Sequence, residues 1–219
     1  MEFQLNKDSF IIFDLDDTLY LEVDFLKSAF REIAGLLTIS DSEKLMAGMY
    51  NDYIVGNDVF SVLMTSYPAS GFKKNELINK YRNHLPNISL TRNADMFIKY
   101  LTKNDIPIGI ITDGRSITQR NKIRSLGLEG ILKELLISEE FGSEKPNENN
   151  FMHFEKKFPN KNFTYIADNT AKDFTAPNTL GWQLVCVLNN GQNIHAQQLG
   201  ILPKHTIVIN DFKELVITI

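Results

Sequence analysis

An alternation of short apolar runs with helical patterns most constrains how this chain can fold. Apolar runs recur at residues 10–15, 106–113, 134–138, 163–168, 182–188 and 206–210. Each has the length and bounding residues of a buried strand. The third, Glu134-Leu-Leu-Ile-Ser138, is the least apolar, and the last is expected at a sheet edge. Between them, residues 93–103, 117–126, 147–157 and 171–180 follow a helical period. Buried strands alternating with helices predict an α/β fold, a parallel sheet covered on both faces.

One stretch breaks the alternation. From about Leu21 to Leu90 no such strand run occurs. Instead Phe25, Ala29, Phe30, Ile33 and Leu36-Leu37 recur at helical spacing. Leu45, Met49 and Tyr53 do the same, as do Leu77, Tyr81 and Leu85. This reads as an all-helical insertion after the first strand, with a loop at Pro68 and Gly71. The expected division is a core of residues 1–19 and 91–219 and an insertion of residues 20–90. A chain of 219 residues is long enough for one domain with such an insertion, or for two small ones.

Chemistry collects at strand ends. Asp14-Leu15-Asp16-Asp17-Thr18 follows the first strand. Residues two apart in a strand share a face, so Asp14 and Asp16 are expected at one site. Open parallel sheets bind ligands beyond the carboxyl ends of their strands. Three further strands end in usable groups there: Thr112-Asp113-Gly114, Ser138 followed by Lys145, and Asp168 with Asp173. A lone Asp-x-Asp is weak evidence, since acids are common in turns and at helix starts. Four strands converging with such groups are a much stronger signal. Carboxylates around one point repel unless a cation binds, and hard oxygen donors suit Mg²⁺. The candidate phosphate-binding groups are Thr112, Asp113, Gly114 and Lys145. A carboxylate can attack phosphorus, and a second one can move the proton.

Composition narrows the partners. A net charge of −4 gives no basic field for nucleic acid or a membrane surface. The apolar runs are too short to span a bilayer. Cys186 is the single cysteine, so no disulfide can form within the chain, which fits a reducing, cytoplasmic setting. The first residues show no signal-peptide pattern. Oligomeric state is not legible in the sequence.

The same residues carry a resemblance. Phe13-Asp14-Leu15-Asp16-Asp17-Thr18-Leu19 resembles the first motif of the haloacid dehalogenase (HAD) superfamily, and Ile110-Ile111-Thr112-Asp113-Gly114 the second. Lys145-Pro146 is similar to the third, and Ala167-Asp168-Asn169-Thr170-Ala171-Lys172-Asp173 to the fourth. Ala167 and Asn169 stand where glycine and serine are frequent. The resemblance implies a Rossmann-like three-layer core with an inserted helical cap of the C1 type. It implies Asp14 as nucleophile and Asp16 as acid/base. Mg²⁺ would be held by Asp14, the Asp16 backbone carbonyl and Asp168, with Asp173 ligating through water or orienting Lys145. Thr112 and Lys145 would hold the phosphate. The expected activity is hydrolysis of a small phosphorylated metabolite, a sugar phosphate or nucleoside monophosphate. A phosphomutase shares this site. A dehalogenase needs neither Asp16 nor the Asp168/Asp173 pair, and a non-catalytic binding protein needs none of them.

Neighbouring residues have plainer readings. Asp17 is expected as a turn residue or helix cap, Arg115 as a substrate contact or a solvated helix start, and Tyr20 as a cleft-lining or packing residue. His84, His153, His195 and His205 show no metal spacing and are expected on the surface or in the core. Phe151, Phe154 and Phe158 read as core, and Cys186 as an inert buried thiol.

Overall fold

The computed structural model describes residues 3, 5–38, 40–68 and 71–215. Six parallel strands form one sheet: β1 (Ser9–Phe13), β2 (Ile108–Thr112), β3 (Glu134–Ile137), β4 (Asn162–Ala167), β5 (Gln183–Val187) and β6 (Ile207–Ile209). Their spatial order is β3-β2-β1-β4-β5-β6, so β1 lies inside and the late apolar run forms an edge, as expected. Strand order reverses direction around β1, which places a crevice at the carboxyl ends of β1, β2 and β4.

Alternate residues of β1 feed the two faces. Phe10 and Ile12 pack with Phe151 and Phe154, whereas Ile11 and Phe13 pack with Phe97 and Ile98. The first group rests under α8 (Glu148–Lys157) and the second under α5 (Arg92–Lys103). Each fully buried aromatic or aliphatic side chain here contributes about 1.5–3 kcal/mol. Gly109 in β2 has a packing reason: a Cβ there would lie 2.5 Å from the Phe154 ring. α5 starts at Thr91, whose hydroxyl accepts the Ala94 N–H.

Between β1 and α5 the chain forms four helices: α1 (Glu22–Leu37), α2 (Ser42–Ile54), α3 (Val59–Ser66) and α4 (Lys74–Asn83). Phe25, Ala29, Phe30 and Ile33 of α1 are buried, which matches their spacing. Tyr81 of α4 gathers the rings of Phe25, Phe60 and Phe30, with centroids 5.4, 5.8 and 5.9 Å away. Leu85 is an exception, because α4 ends at Asn83 and leaves Leu85 56% exposed.

α6 (Ser116–Ser125) joins the insertion to the sheet. Its Thr118 hydroxyl donates to the Arg82 carbonyl, and the Asn121 amide donates to those of Asn83 and His84. These carbonyls end α4, where helical partners run out. α7 (Ser138–Phe141) follows β3 directly, so Ser138 opens a helix rather than ending the strand. The helix expected over 171–180 is reduced to α9 (Thr175–Thr179). The side chains of Asn169 and Asp173 accept the N–H groups of Ala171 and Asn169, and this loop closure holds the preceding residues out of the helix. Among the described residues no helix is long and apolar enough to cross a membrane.

Candidate active site

β1 delivers Asp14 one residue beyond its last paired position, and β4 delivers Asp168 in the same way. The backbone confirms that they are neighbours, since the Asp14 N–H donates to the Ile166 carbonyl at 3.0 Å. Carboxylate oxygens of Asp14, Asp168 and Asp173 all lie within 4.8 Å of one another, and all three residues are buried. The Lys145 ammonium sits in this cluster with its side chain fully enclosed, 2.5 Å from Asp14 and 2.7 Å from Asp173. It also donates to the Tyr165 hydroxyl at 3.1 Å. Its three protons therefore all have partners.

Charge explains what this cluster still needs. Three carboxylates against one ammonium leave two surplus negative charges, the charge of one divalent cation. Burial pushes the Asp14 carboxyl up to about 7, against the pull of Lys145. Burial, and then the nearby Asp14 and Asp173, push Asp168 up to about 8. Among the described residues the Asp168 carboxylate has only neutral donors: the Thr18 hydroxyl at 3.3 Å and the Asn193 amide at 3.1 Å. The donors are hard carboxylate oxygens, those of Asp14 and Asp168 directly after their strands, a set that fits Mg²⁺. Asp173 is less open, because its two oxygens already meet Lys145, the Tyr165 hydroxyl and the Asn169 N–H.

Asp16 lies at the same cavity but outside the cluster of three. The Lys122 ammonium pairs with it at 2.6 Å, the Gln119 amide donates to it at 2.9 Å, and the Tyr20 hydroxyl completes the set. Against the penalty of burial, Lys122 and these hydrogen bonds hold the Asp16 carboxyl below its usual range. The same Gln119 amide also donates to the Thr112 hydroxyl at 2.5 Å. One α6 side chain thus fixes a group from β1 and another from β2.

The cavity between these groups has a volume of about 150 Å³. Asp14, Asp16, Thr112 and Asp168 line it, with Glu22, Asp113, Asn169, Lys172 and His195. A larger groove of about 590 Å³ opens at the opposite end of the strands, beside Ser9, Asn162 and Gln183, and holds no such acidic cluster.

Two expected phosphate donors are committed elsewhere. The Gly114 N–H points to the Ser138 hydroxyl at 2.9 Å, and Gly114, at φ +136°, does not line the cavity. Lys145 is enclosed behind Asp14 rather than exposed to the cavity. The Asp113 carboxylate accepts the Lys145 N–H and pairs with Lys172 at 2.8 Å, so it braces the loop and holds a lysine at the cavity wall.

Asp17 is a turn residue at φ +55°, and its carboxylate accepts the N–H groups of Glu22 and Ile194. Tyr20 is buried and Arg115 is exposed and paired with Glu139. His84 is buried against Ser28 and Glu32, and His153 pairs with Glu134. His195 is exposed, as expected, and also lines the cavity. Gln119, Lys122, Asn193 and Glu22 escaped the sequence reading. The available signal lay in α6, where four buried residues, Thr118, Gln119, Asn121 and Lys122, are polar.

A sequence model described as haloacid dehalogenase-like hydrolase matches residues 11–187. The chain belongs to the haloacid dehalogenase-like hydrolases. Two relatives named glyceraldehyde 3-phosphate phosphatase are similar over most of their length. That of Methanocaldococcus jannaschii is 27% identical over 199 residues, 81% of this chain and 84% of the relative. That of Methanopyrus kandleri is 26% identical over 192 residues, 78% of this chain and 80% of the relative. The magnesium-bound HAD hydrolase YfnB of Bacillus subtilis has the same fold, with a TM-score of 0.66 at 21% identity over 96% of this chain and 97% of that one.

Proposed function

We propose that this HAD hydrolase is a Mg²⁺-dependent phosphatase acting on a small phosphorylated metabolite of the sugar-phosphate class through an aspartyl-phosphate intermediate on Asp14. The observation that carries this reading is the enclosed cluster of Asp14, Asp168, Asp173 and Lys145 beside a small polar cavity. The names of the two archaeal relatives support the substrate class.

Asp14, Asp168 and the Asp16 backbone carbonyl would hold Mg²⁺, which when bound screens the repulsion between these acids and an incoming phosphate. Asp173 acts chiefly by holding Lys145. Lys145 orients the Asp14 carboxylate, leaving its other oxygen to attack phosphorus. The bond to the ester oxygen breaks, and that oxygen takes a proton from Asp16. A water then gives its proton to Asp16 and attacks the acyl phosphate, which releases phosphate and regenerates Asp14. Paired with Lys122, Asp16 is ionised and set for the second step. Protonating the leaving group requires it to loosen that pair and take up a proton. Thr112, with its hydroxyl proton unclaimed by Gln119, and Lys172 at the wall are the groups placed to meet phosphate oxygens.

Residues 20–90 are proposed as a cap, because Tyr20 holds Asp16 while Glu22, in the first turn of α1, lines the cavity. A cytoplasmic location is proposed from the lone cysteine, with no nucleic acid or membrane partner at a charge of −4. The test is release of inorganic phosphate from a panel of triose phosphates, hexose phosphates and nucleoside monophosphates with Mg²⁺. Release is expected without an acceptor sugar or a bisphosphate activator, which a phosphomutase would need, and a chelator should stop it. No release from any ester would contradict the reading.

A further inference from the structure

Every acid at the cavity has a partner among the described residues except one. Asp14 has Lys145, Asp16 has Lys122, Asp113 has Lys172, and Asp168 has Thr18 and Asn193. The Glu22 carboxylate accepts no hydrogen bond and forms no ion pair among the described residues, although its backbone N–H is anchored on Asp17. Glu22 is half-buried, so its carboxylate can be reached from the cavity. A carboxyl left open toward a reaction cavity is available to a ligand.

We infer that Glu22 selects the leaving group, hydrogen-bonding a hydroxyl on the short, uncharged carbon chain of a phosphate ester. This rests on the phosphatase reading and adds to it the part of the substrate that is recognised. Size supports the short chain. At about 150 Å³ the cavity is small, which suits a phosphoryl group carrying a short carbon chain. Chemistry supports a hydroxyl over an ammonium group. Lys122 already lies near enough to act on Glu22, so a second cation is not required. Burial, with Asp16 adding to it, pushes the Glu22 carboxyl up to about 8, and a neutral carboxyl both donates to and accepts from a hydroxyl. Position supports selection rather than catalysis. Glu22 comes from the first turn of α1, in the insertion, whereas the reacting groups follow the strands.

The test compares kcat/KM for glycerol 1-phosphate, propyl phosphate and phosphoethanolamine in the wild type, Glu22→Gln and Glu22→Ala. Loss of one hydrogen bond to a buried or charged group is about a tenfold effect. Glu22→Ala should therefore lower kcat/KM for glycerol 1-phosphate about tenfold more than for propyl phosphate, with Glu22→Gln between it and the wild type. Thermal stability of Glu22→Ala should equal or exceed that of the wild type, because no partner in the fold is lost. Equal losses on all three esters, a larger loss on phosphoethanolamine, or a marked drop in melting temperature would each overturn the inference while leaving the phosphatase reading intact. Failure of the wild type to release phosphate from all three would overturn the inference, and the phosphatase reading falls with it only if the triose and hexose phosphates also yield none.

Discussion

Asp14→Asn is expected to reduce phosphate release by about four orders of magnitude or more while leaving the fold unchanged. Removal of a covalent nucleophile has effects of this size in other hydrolases. The amide cannot form the acyl phosphate, and the other acids do not replace it: Asp16 is held by Lys122, Asp168 lies where the metal would be, and Glu22, pushed up to about 8 by burial, is a poor nucleophile near neutrality. Stability should survive, because Lys145 keeps Asp173 at 2.7 Å and Tyr165 at 3.1 Å, and the asparagine carbonyl can still accept from it. Replacing a carboxyl that burial pushes up to about 7 also removes a charge that the fold disfavours. Steady-state phosphate release and thermal melting of the variant check both halves. Activity within tenfold of the wild type would refute the nucleophile assignment.

Magnesium should stabilise the protein strongly, and more at pH 8.5 than at pH 6. In the metal-free protein Asp14 titrates at about 7 and Asp168 at about 8, both raised chiefly by burial from an ordinary value of 3.8. Between about pH 4 and pH 8 the folded chain therefore holds protons that the unfolded chain has released. Stability then falls as pH rises through that window. Glu22, raised to about 8, has the same sign. Asp16 has the opposite sign, but because it is lowered its contribution is lost only in more acid solution. Mg²⁺ binds the deprotonated ligands, so protons compete with it at pH 6 and hardly at pH 8.5. At a Mg²⁺ concentration about 100 times the dissociation constant the gain is about 2.7 kcal/mol, or roughly 5–10 °C for a chain of this size. Thermal melts with and without Mg²⁺ across that range measure it. A shift independent of pH, or a metal-free melting temperature that rises from pH 5.5 to 8.5, would contradict the charge account.

Much of this was legible in the sequence, and the reason is physical. Strands buried on both faces need continuous apolar runs, so β1, β2, β4 and β5 announce themselves, and the acids that follow β1 and β4 fall where the sheet must open. What stayed hidden was polar and buried at once. α6 exposes Ile117 by 44% while burying Gln119 and Lys122, the reverse of an amphipathic pattern. It does so because much of its inner face meets Asp16 and the carbonyls that end α4, while Ile123 reaches the core. Glu22 gave no signal because half-burial of a single acid leaves no periodicity. Asn193 and Gln197 reach Asp168 from the loop after β5, and such long-range contacts have no local pattern.

The most direct test of the central claim is a single-turnover reaction with Mg²⁺ and a triose phosphate, quenched in acid within milliseconds and digested for mass spectrometry. The account predicts one added phosphoryl group on the peptide that carries Asp14, located on that side chain, decaying as inorganic phosphate appears and absent when a chelator is present. Phosphate released in a full turnover with no phosphoryl group ever trapped on Asp14, or one trapped on another residue, would contradict it.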